Sequence, residues 1–185
     1  MTNLILVCIS ILVFVVYNWV TIHKYGLPPS LSDSYYDLES THKGLGWLFT
    51  GMMWTFSLLL LPAWLNITEV ISDWSHYLTA LPFLTVGCIC FVGAAPNFRD
   101  LGLPEAVHMF SAKAAAVLAM AWICSVCWKI AYVIPIMLGV CWGIAYLTKT
   151  NKSSRDWWWE MVAFYSLFIA VFVETLCLYL GVHIY

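Results

Sequence analysis

The amino-acid sequence predicts an all-α membrane protein, and three observations lead to that fold class. Of its 185 residues, 63% are hydrophobic and only 10% are charged, whereas a soluble domain is about a quarter charged. The mean hydropathy is +0.85. The apolar residues form continuous runs without the period-2 alternation of a transmembrane β-strand. We therefore expect a bundle of transmembrane helices rather than a barrel or a soluble domain.

Six apolar runs define the predicted transmembrane helices, which form a single domain over residues 1–185. Each run is near the ~20 residues that a bilayer requires. They lie at about 3–22, 45–65, 78–95, 107–128, 130–148 and 157–181. The first run has no basic segment before it and no small-residue cleavage site after it, so we interpret it as a retained helix rather than a signal peptide.

The basic residues predict the orientation of this bundle. Six spans put the loops at 23–44, 96–106 and 149–156 on one side, and both termini with the loops at 66–77 and about 129 on the other. The first side holds Lys24, Lys43, Arg99, Lys149, Lys152 and Arg155, and the second holds only Lys129. Because Lys and Arg are enriched in cytoplasmic loops, we expect the first side in the cytoplasm and both termini outside. A bacterial inner membrane is the predicted location.

Tryptophans fall near the predicted membrane boundaries, where an aromatic belt is expected. The predicted members are Trp19, Trp47, Trp157, Trp158 and Trp159 at the cytoplasmic boundary, and Trp64, Trp74 and Trp128 at the outer one. Lys113, in the cytoplasmic half of the fourth span, is predicted to extend toward the lipid headgroups.

The first cytoplasmic loop is predicted to contain a short interfacial helix over about Ser32–Ser40. The pair Pro28–Pro29 favours an extended approach, and the serines that follow offer an N-cap. Tyr35, Tyr36 and Leu38 are expected against the membrane face. This helix either covers the bundle or forms a lid over a cytoplasm-facing pocket, and the sequence leaves both interpretations open. The candidate site residues of the loop are Ser30, Ser32, Asp33 and Tyr35.

Two spans carry small and polar residues along one helical face, which indicates faces that point into the bundle. On the fourth span these are His108, Ser111, Ala112, Ala115, Ala119 and Trp122, and on the last span Glu160, Ala163, Leu167, Val171 and Glu174. His108 and Glu160 both lie at the cytoplasmic boundary, close to Arg99 and Asp100. We therefore predict one polar ligand-binding pocket there, formed by His108, Glu160, Arg99, Asp100, Ser111 and the loop residues.

Glu174 is predicted to lie in the outer half of the bilayer, roughly 21 Å along the helix from Glu160. A carboxylate at such depth costs about 2.5–3.5 kcal/mol, so it requires compensation. It either holds helices together by hydrogen bonding, for instance to Ser10, Ser125 or Tyr132, or it has a functional role with a cation or proton.

Cysteine and histidine patterns predict neither a redox centre nor a metal site. The spacing of Cys124 and Cys127 resembles that of quinone-linked thiol oxidases, but the exterior loop at 66–77 lacks the second cysteine pair of that relay. Buried apolar cysteines are expected instead. The histidines, none in a zinc-binding spacing, are His23, His42, His76, His108 and His183. We predict no metal and no cofactor.

Several short motifs carry a resemblance to known proteins. They are the string Tyr-Gly-x-Pro-x-Ser-x-Ser-x2-Tyr-Tyr beginning at Tyr25, Gly46-Trp47, and Ala95-Pro96-x-Phe98 followed by Val107-His108. With these motifs the chain resembles small polytopic membrane proteins of gut Bacteroidetes and their phages, a resemblance that implies a multi-span fold and no particular activity. It is similar more remotely to the superfamily of alkaline ceramidases and adiponectin receptors. The zinc-binding Ser-x3-His and His-x3-His motifs of that superfamily are missing, so no catalytic role transfers to any residue here.

Three classes of function remain open. The first is binding or transport of a small molecule, lipid or ion through the cytoplasmic-face pocket, with membrane lipids as partners. The alternatives are an interaction subunit, which would pair with a second copy or another membrane protein, and an intramembrane enzyme acting on lipids. Nucleic-acid binding is excluded, because the net charge is −2 and there is no basic stripe.

Overall fold

The computed structural model describes residues 1–71, 75–96 and 102–182. Within these ranges the chain is all-α, which confirms the all-helical part of the predicted fold class. The helices are α1 (Thr2–Tyr25), α2 (Ser34–Thr41), α3 (Trp47–Ile71), α4 (Ser75–Leu78), α5 (Ala80–Ala94), α6 (Gly102–Ser125), α7 (Val133–Leu147) and α8 (Arg155–Leu180). Single 3-10 turns at Leu31–Asp33 and Trp128–Ile130 precede α2 and α7.

Five segments are long and apolar enough to cross a membrane. They are Thr2–Tyr25, Trp47–Ile71, Glu105–Ser125, Trp128–Leu147 and Arg155–Leu180. The chain is therefore a multi-pass helical membrane protein. The third predicted span corresponds to α5, whose 15 residues cover roughly 22 Å. A six-span arrangement therefore stays a prediction.

The predicted outer loop at 66–77 is shorter than expected, because α3 continues to Ile71 and α4 covers Ser75–Leu78. The extra turns of α3 are stabilised by contact with α6. Thr68 is fully buried, and its hydroxyl oxygen accepts a hydrogen bond of 2.8 Å from the indole N–H of Trp122. The change from apolar to mixed sequence near residue 66 therefore does not end the helix.

Helix α8 is the central element of the bundle. It packs against α1, α3, α6 and α7, while α1 packs on α3, α3 on α5, and α5 on α6. Edge-to-face aromatic contacts fill the centre, with the ring of Phe14 at 5.4 Å from Phe56 and 5.1 Å from Phe168. Because α6 and α8 are neighbours at one end of this arrangement, the polar residues near their N-termini lie close together.

The aromatic-belt prediction is wrong for several tryptophans. Trp64 is fully buried and packs edge-to-face on Trp122 at 5.3 Å. Trp157 and Trp158 are also buried, with their rings in contact at 4.7 Å. The predicted belt members that are exposed are Trp19, Trp47, Trp128 and Trp159, whereas Trp74 lies outside the described residues. Position at a predicted boundary does not decide whether a residue faces lipid or a neighbouring helix.

The short helix in the first connection is present as α2, preceded by the turn Leu31–Asp33. Ser30 and Asp33 form a reciprocal capping box, in which each side chain accepts the backbone N–H of the other residue. The prediction that Leu38 faces the membrane is wrong, because Leu38 is buried in the protein. Tyr35 lies against Gly46, at a distance that leaves no room for a Cβ there. This connection therefore packs onto the bundle.

Candidate ligand-binding cavity

The segment of residues 26–33, which ends in the 3-10 turn Leu31–Asp33, crosses the N-terminal end of α8. The first backbone N–H groups of a helix have no partner within the helix, and this segment provides one such partner. Three hydrogen bonds join the two: the Ser154 hydroxyl to the Leu27 carbonyl at 3.3 Å, the Trp157 N–H to the Pro29 carbonyl at 3.0 Å, and the Leu31 N–H to Glu160 Oε2 at 2.6 Å. Residues 27, 29 and 31 are therefore each bonded to α8 or to Ser154, the residue before it.

Ser32, the next residue, contacts α6 instead. Its hydroxyl lies 2.8 Å from Nε2 of His108. The other ring nitrogen of His108, Nδ1, lies 3.0 Å from the carbonyl oxygen of Ala95 at the end of α5. Both Ser32 and His108 are buried. The 26–33 segment therefore connects α8, through Leu31, with α6, through Ser32.

A cavity of about 600 Å³ lies beneath this segment, between α6 and α8. We call it the main cavity. Its lining residues are Ser30, Ser32, Asp33, His108, Met109, Ala112, Lys113, Ala116, Arg155, Asp156, Trp159, Glu160 and Ala163. Met109 is 43% exposed and Trp159 is 50% exposed. Because these two side chains lie on the outer surface of the bundle, the main cavity opens on that surface and not only at the end of the bundle formed by the N-termini of α6 and α8.

A smaller cavity of about 60 Å³ adjoins the main cavity and reaches toward α3 and α5. We call it the inner cavity. Its lining is almost wholly apolar and includes Ala115 and Ala119 from α6, with Ile89 and Val92 from α5. The residues that it shares with the main cavity are Ser32, Ala112, Ala116, Glu160 and Ala163. The small alanine side chains leave this space unfilled, so the main cavity, which carries the charged groups, continues into an almost wholly apolar space.

Charges of both signs surround the main cavity. Lys113 and Arg155 are positively charged, and the carboxyl side chains are Asp33, Asp156 and Glu160. Arg155 and Asp156 form an ion pair at 3.3 Å, with both side chains 67% exposed. Such an exposed pair contributes little to stability and can exchange partners readily. The lining therefore offers both a cationic and an anionic contact to a bound molecule.

The structure brings together five of the residues predicted from the sequence: Ser30, Ser32, Asp33, His108 and Glu160 line the main cavity. Tyr35 lies apart, against the beginning of α3. Ser111 is buried on the bundle-facing side of α6. Arg99 and Asp100 lie outside the described residues. Glu174 is 1% exposed and lies in the bundle interior.

Sequence reasoning missed the contributions of Lys113, Arg155, Asp156 and Trp159. The sequence places Lys113 off the stripe that begins at His108, which predicts contact with the lipid headgroups alone. Residues 108, 109, 112, 113 and 116 nevertheless share one side of a helix, by steps of one, three and four. The spacing of these residues can be read from the sequence. The sequence does not show that α8 packs beside this face of α6 and encloses a cavity with it.

All seven cysteines are free thiols in the structure, with Cys124 exposed and Cys127 buried. Among the described residues, no cluster of three or more His, Cys, Asp or Glu side chains could hold a metal ion.

Comparison of the chain with family models, with curated proteins and with solved structures finds no match. The resemblances drawn from the sequence motifs therefore stay predictions.

Proposed function

We propose that this protein binds a membrane lipid in the main cavity, with the lipid headgroup at the polar end and an acyl chain along the surface of α6 and α8. One observation carries the proposal: a cavity of about 600 Å³ opens on the outer surface of the bundle and continues into an apolar space. Pockets for small molecules commonly measure 300–1,000 Å³ and combine apolar walls with a few polar groups.

The charge pattern supports a zwitterionic headgroup. A phosphate would be attracted to Lys113 and Arg155, and an ammonium group to Asp156. A purely anionic headgroup would be repelled by the carboxylates of Asp33 and Asp156. Phosphatidylethanolamine is therefore the lipid class that we expect.

The proposed topology places this cavity at the cytoplasmic leaflet. Our proposal is six spans in a bacterial inner membrane with both termini outside, which requires α5 to cross with α4 and local thinning of the bilayer. Seven of the eight Lys and Arg residues then lie toward the cytoplasm, with Lys129 as the exception. The ends of α6 and α8 that carry His108 and Glu160 face the same side.

The test is photo-crosslinking of the reconstituted protein with a photoactivatable phosphatidylethanolamine, followed by mass spectrometry of the labelled peptides. We expect label on the cavity-lining parts of α6 and α8. Ala116→Trp fills the cavity and should remove most of that label. Val117→Trp is the matched control, because Val117 is the adjacent residue and is 67% exposed. The label should be unchanged in this variant.

Competition then identifies the headgroup. Unlabelled phosphatidylethanolamine should reduce the cavity label at lower concentration than phosphatidylglycerol does. Equal labelling in the Ala116→Trp variant and the wild type would contradict binding in the cavity. Equal competition by both lipids would contradict the proposed headgroup.

A further inference from the structure

The contact between Ser32 and His108 has the arrangement of a nucleophile and its base. The Ala95 carbonyl oxygen can only accept a hydrogen bond, so the proton of the neutral imidazole lies on Nδ1, 3.0 Å away. Nε2 is then unprotonated and accepts the hydroxyl proton of Ser32 across 2.8 Å. This is the tautomer in which histidine can withdraw a proton from serine.

The position of Ser32 gives this pair access to a substrate. Ser32 lies at the boundary between the main cavity, which carries the charged groups, and the inner cavity, whose lining is almost wholly apolar. The scissile bond between a lipid headgroup region and its acyl chain would lie at such a boundary. His108 reaches Ser32 from α6 while the backbone around Ser32 is fixed to α8, so neither group depends on a free loop.

From this geometry we propose that Ser32 and His108 cleave a carboxylic ester of an amphiphile by acyl transfer to serine. The proposal rests on the proposed lipid-binding function and adds a reaction to it. Asp33, which lines the same cavity, would stabilise the imidazolium formed during the reaction. The donors available to the oxyanion are Lys113 and the hydroxyl of Ser30, whose oxygen already accepts the Asp33 N–H.

The reaction proceeds in two balanced steps. Ser32 Oγ attacks the ester carbonyl carbon, and its proton moves to Nε2 of His108. The bond to the alcohol oxygen breaks, and the alcohol leaves with that proton, which gives an acyl-serine. A water molecule then attacks the acyl carbon and transfers its proton to Nε2. The serine–acyl bond breaks, Ser32 Oγ takes the proton back, and a carboxylic acid is released.

The competing interpretation is that the Ser32–His108 hydrogen bond has a structural role only and stabilises the packing of the 26–33 segment on α6. A purely structural bond would leave Ser32 with ordinary reactivity. The two interpretations therefore differ in chemical reactivity and not in the expected loss of stability.

The test uses the detergent-solubilised full chain with an alkyl fluorophosphonate, which phosphonylates activated serines, and with p-nitrophenyl esters of short and long acyl chains. We expect the wild type to be labelled at Ser32 and to hydrolyse the esters. Ser32→Ala should lose both. His108→Gln keeps a hydrogen-bonding amide but cannot take up the proton, so both rates should fall about 100-fold or more.

Ser34→Ala is the matched control. Ser34 is also buried, and its hydroxyl bonds to Tyr17 and to the Leu31 carbonyl rather than to a histidine. Folded Ser34→Ala should retain labelling at Ser32. Melting temperature identifies variants that fail to fold, and His108→Gln, which leaves the Ser32 hydroxyl in place, is the second variant on which the proposal is judged.

The outcomes separate the two proposals. A folded wild type that neither reacts with the fluorophosphonate nor hydrolyses an ester would overturn the reaction, and lipid crosslinking in the cavity could persist. Hydrolysis of the short ester without lipid crosslinking would support the serine–histidine pair and contradict lipid binding. Labelling at a serine other than Ser32 would also overturn the reaction proposed here.

Discussion

Several polar side chains inside this bundle form hydrogen bonds with the backbone of other segments. The Ser10 hydroxyl donates to the Phe56 carbonyl at 2.7 Å. Glu160 accepts the Leu31 N–H at 2.6 Å, across 129 residues of sequence. An unsatisfied polar group is costly where water is scarce, so each bond of this kind fixes the position of one element relative to another.

Replacing Glu160 tests the bond that fixes the 26–33 segment. Glu160→Gln keeps a carbonyl oxygen for the Leu31 N–H and should have a small effect. Glu160→Ala removes the acceptor and should destabilise the fold by about 1–3 kcal/mol. The measurement is the melting temperature in detergent, where we expect a decrease of roughly 2–12 °C for a chain of this size. Equal melting temperatures for Glu160→Ala and the wild type would show that the bond does not stabilise the fold.

Glu174 provides the second test at this scale. It is 1% exposed in the bundle interior. Glu174→Gln preserves its size and its hydrogen-bonding capacity, so the melting temperature should stay near that of the wild type. Glu174→Ala leaves a cavity and should cost about 2–5 kcal/mol. A stable Glu174→Gln protein that has lost lipid crosslinking or ester hydrolysis would instead show that ionisation of Glu174 is required for function.

Pairs of helices approach closely where small residues allow it. Helices α3 and α5 are joined by two hydrogen bonds, from the Thr50 hydroxyl to the Gly93 carbonyl at 2.7 Å and from the Trp54 indole N–H to the Cys90 carbonyl at 3.0 Å. A Cβ on Gly93 would lie 3.0 Å from Trp54 and 3.1 Å from Cβ of Met53. The glycine therefore permits the distance that both hydrogen bonds require.

The expected result of Gly93→Ala is a loss of about 1–3 kcal/mol, because Cβ of Met53 cannot move without its backbone. Gly87→Ala is the matched control. Gly87 lies in the same helix, with nothing within 4 Å of the added Cβ, so this variant should be as stable as the wild type or slightly more so. Thermal unfolding of both proteins checks the prediction. A smaller effect for Gly93→Ala than for Gly87→Ala would contradict the close packing of α3 and α5.

The orientation of the whole molecule in the membrane decides which leaflet the main cavity faces. In a Cys-free variant, a cysteine introduced at Lys152 should be protected from a membrane-impermeant maleimide in intact cells. A cysteine introduced at Lys129 should be labelled. The reason is the excess of basic residues on the side that carries Lys152. Labelling at Lys152 from outside would invert the proposed topology and move the cavity to the outer leaflet.

The sequence by itself determined the all-α membrane fold, the positions of the long apolar helices and a serine cap ahead of α2, while it left open which serine forms that cap. These features follow from local properties. The transfer free energy of about 20 apolar residues defines a span, and a serine hydroxyl needs only the next turn of backbone to form a cap. The end of α3 was the exception, because contact with Trp122 extends that helix past residue 66.

Only the tertiary structure decided which face of each helix points inward and which distant groups meet. In a soluble protein the polar face of a helix identifies the solvent side, but in lipid both the buried and the lipid-facing sides are apolar. Trp64 is therefore buried while Trp19 is exposed, with no difference in residue type to separate them. The Ser32–His108 contact spans 76 residues, and it exists because α6 and α8 pack side by side under the 26–33 segment.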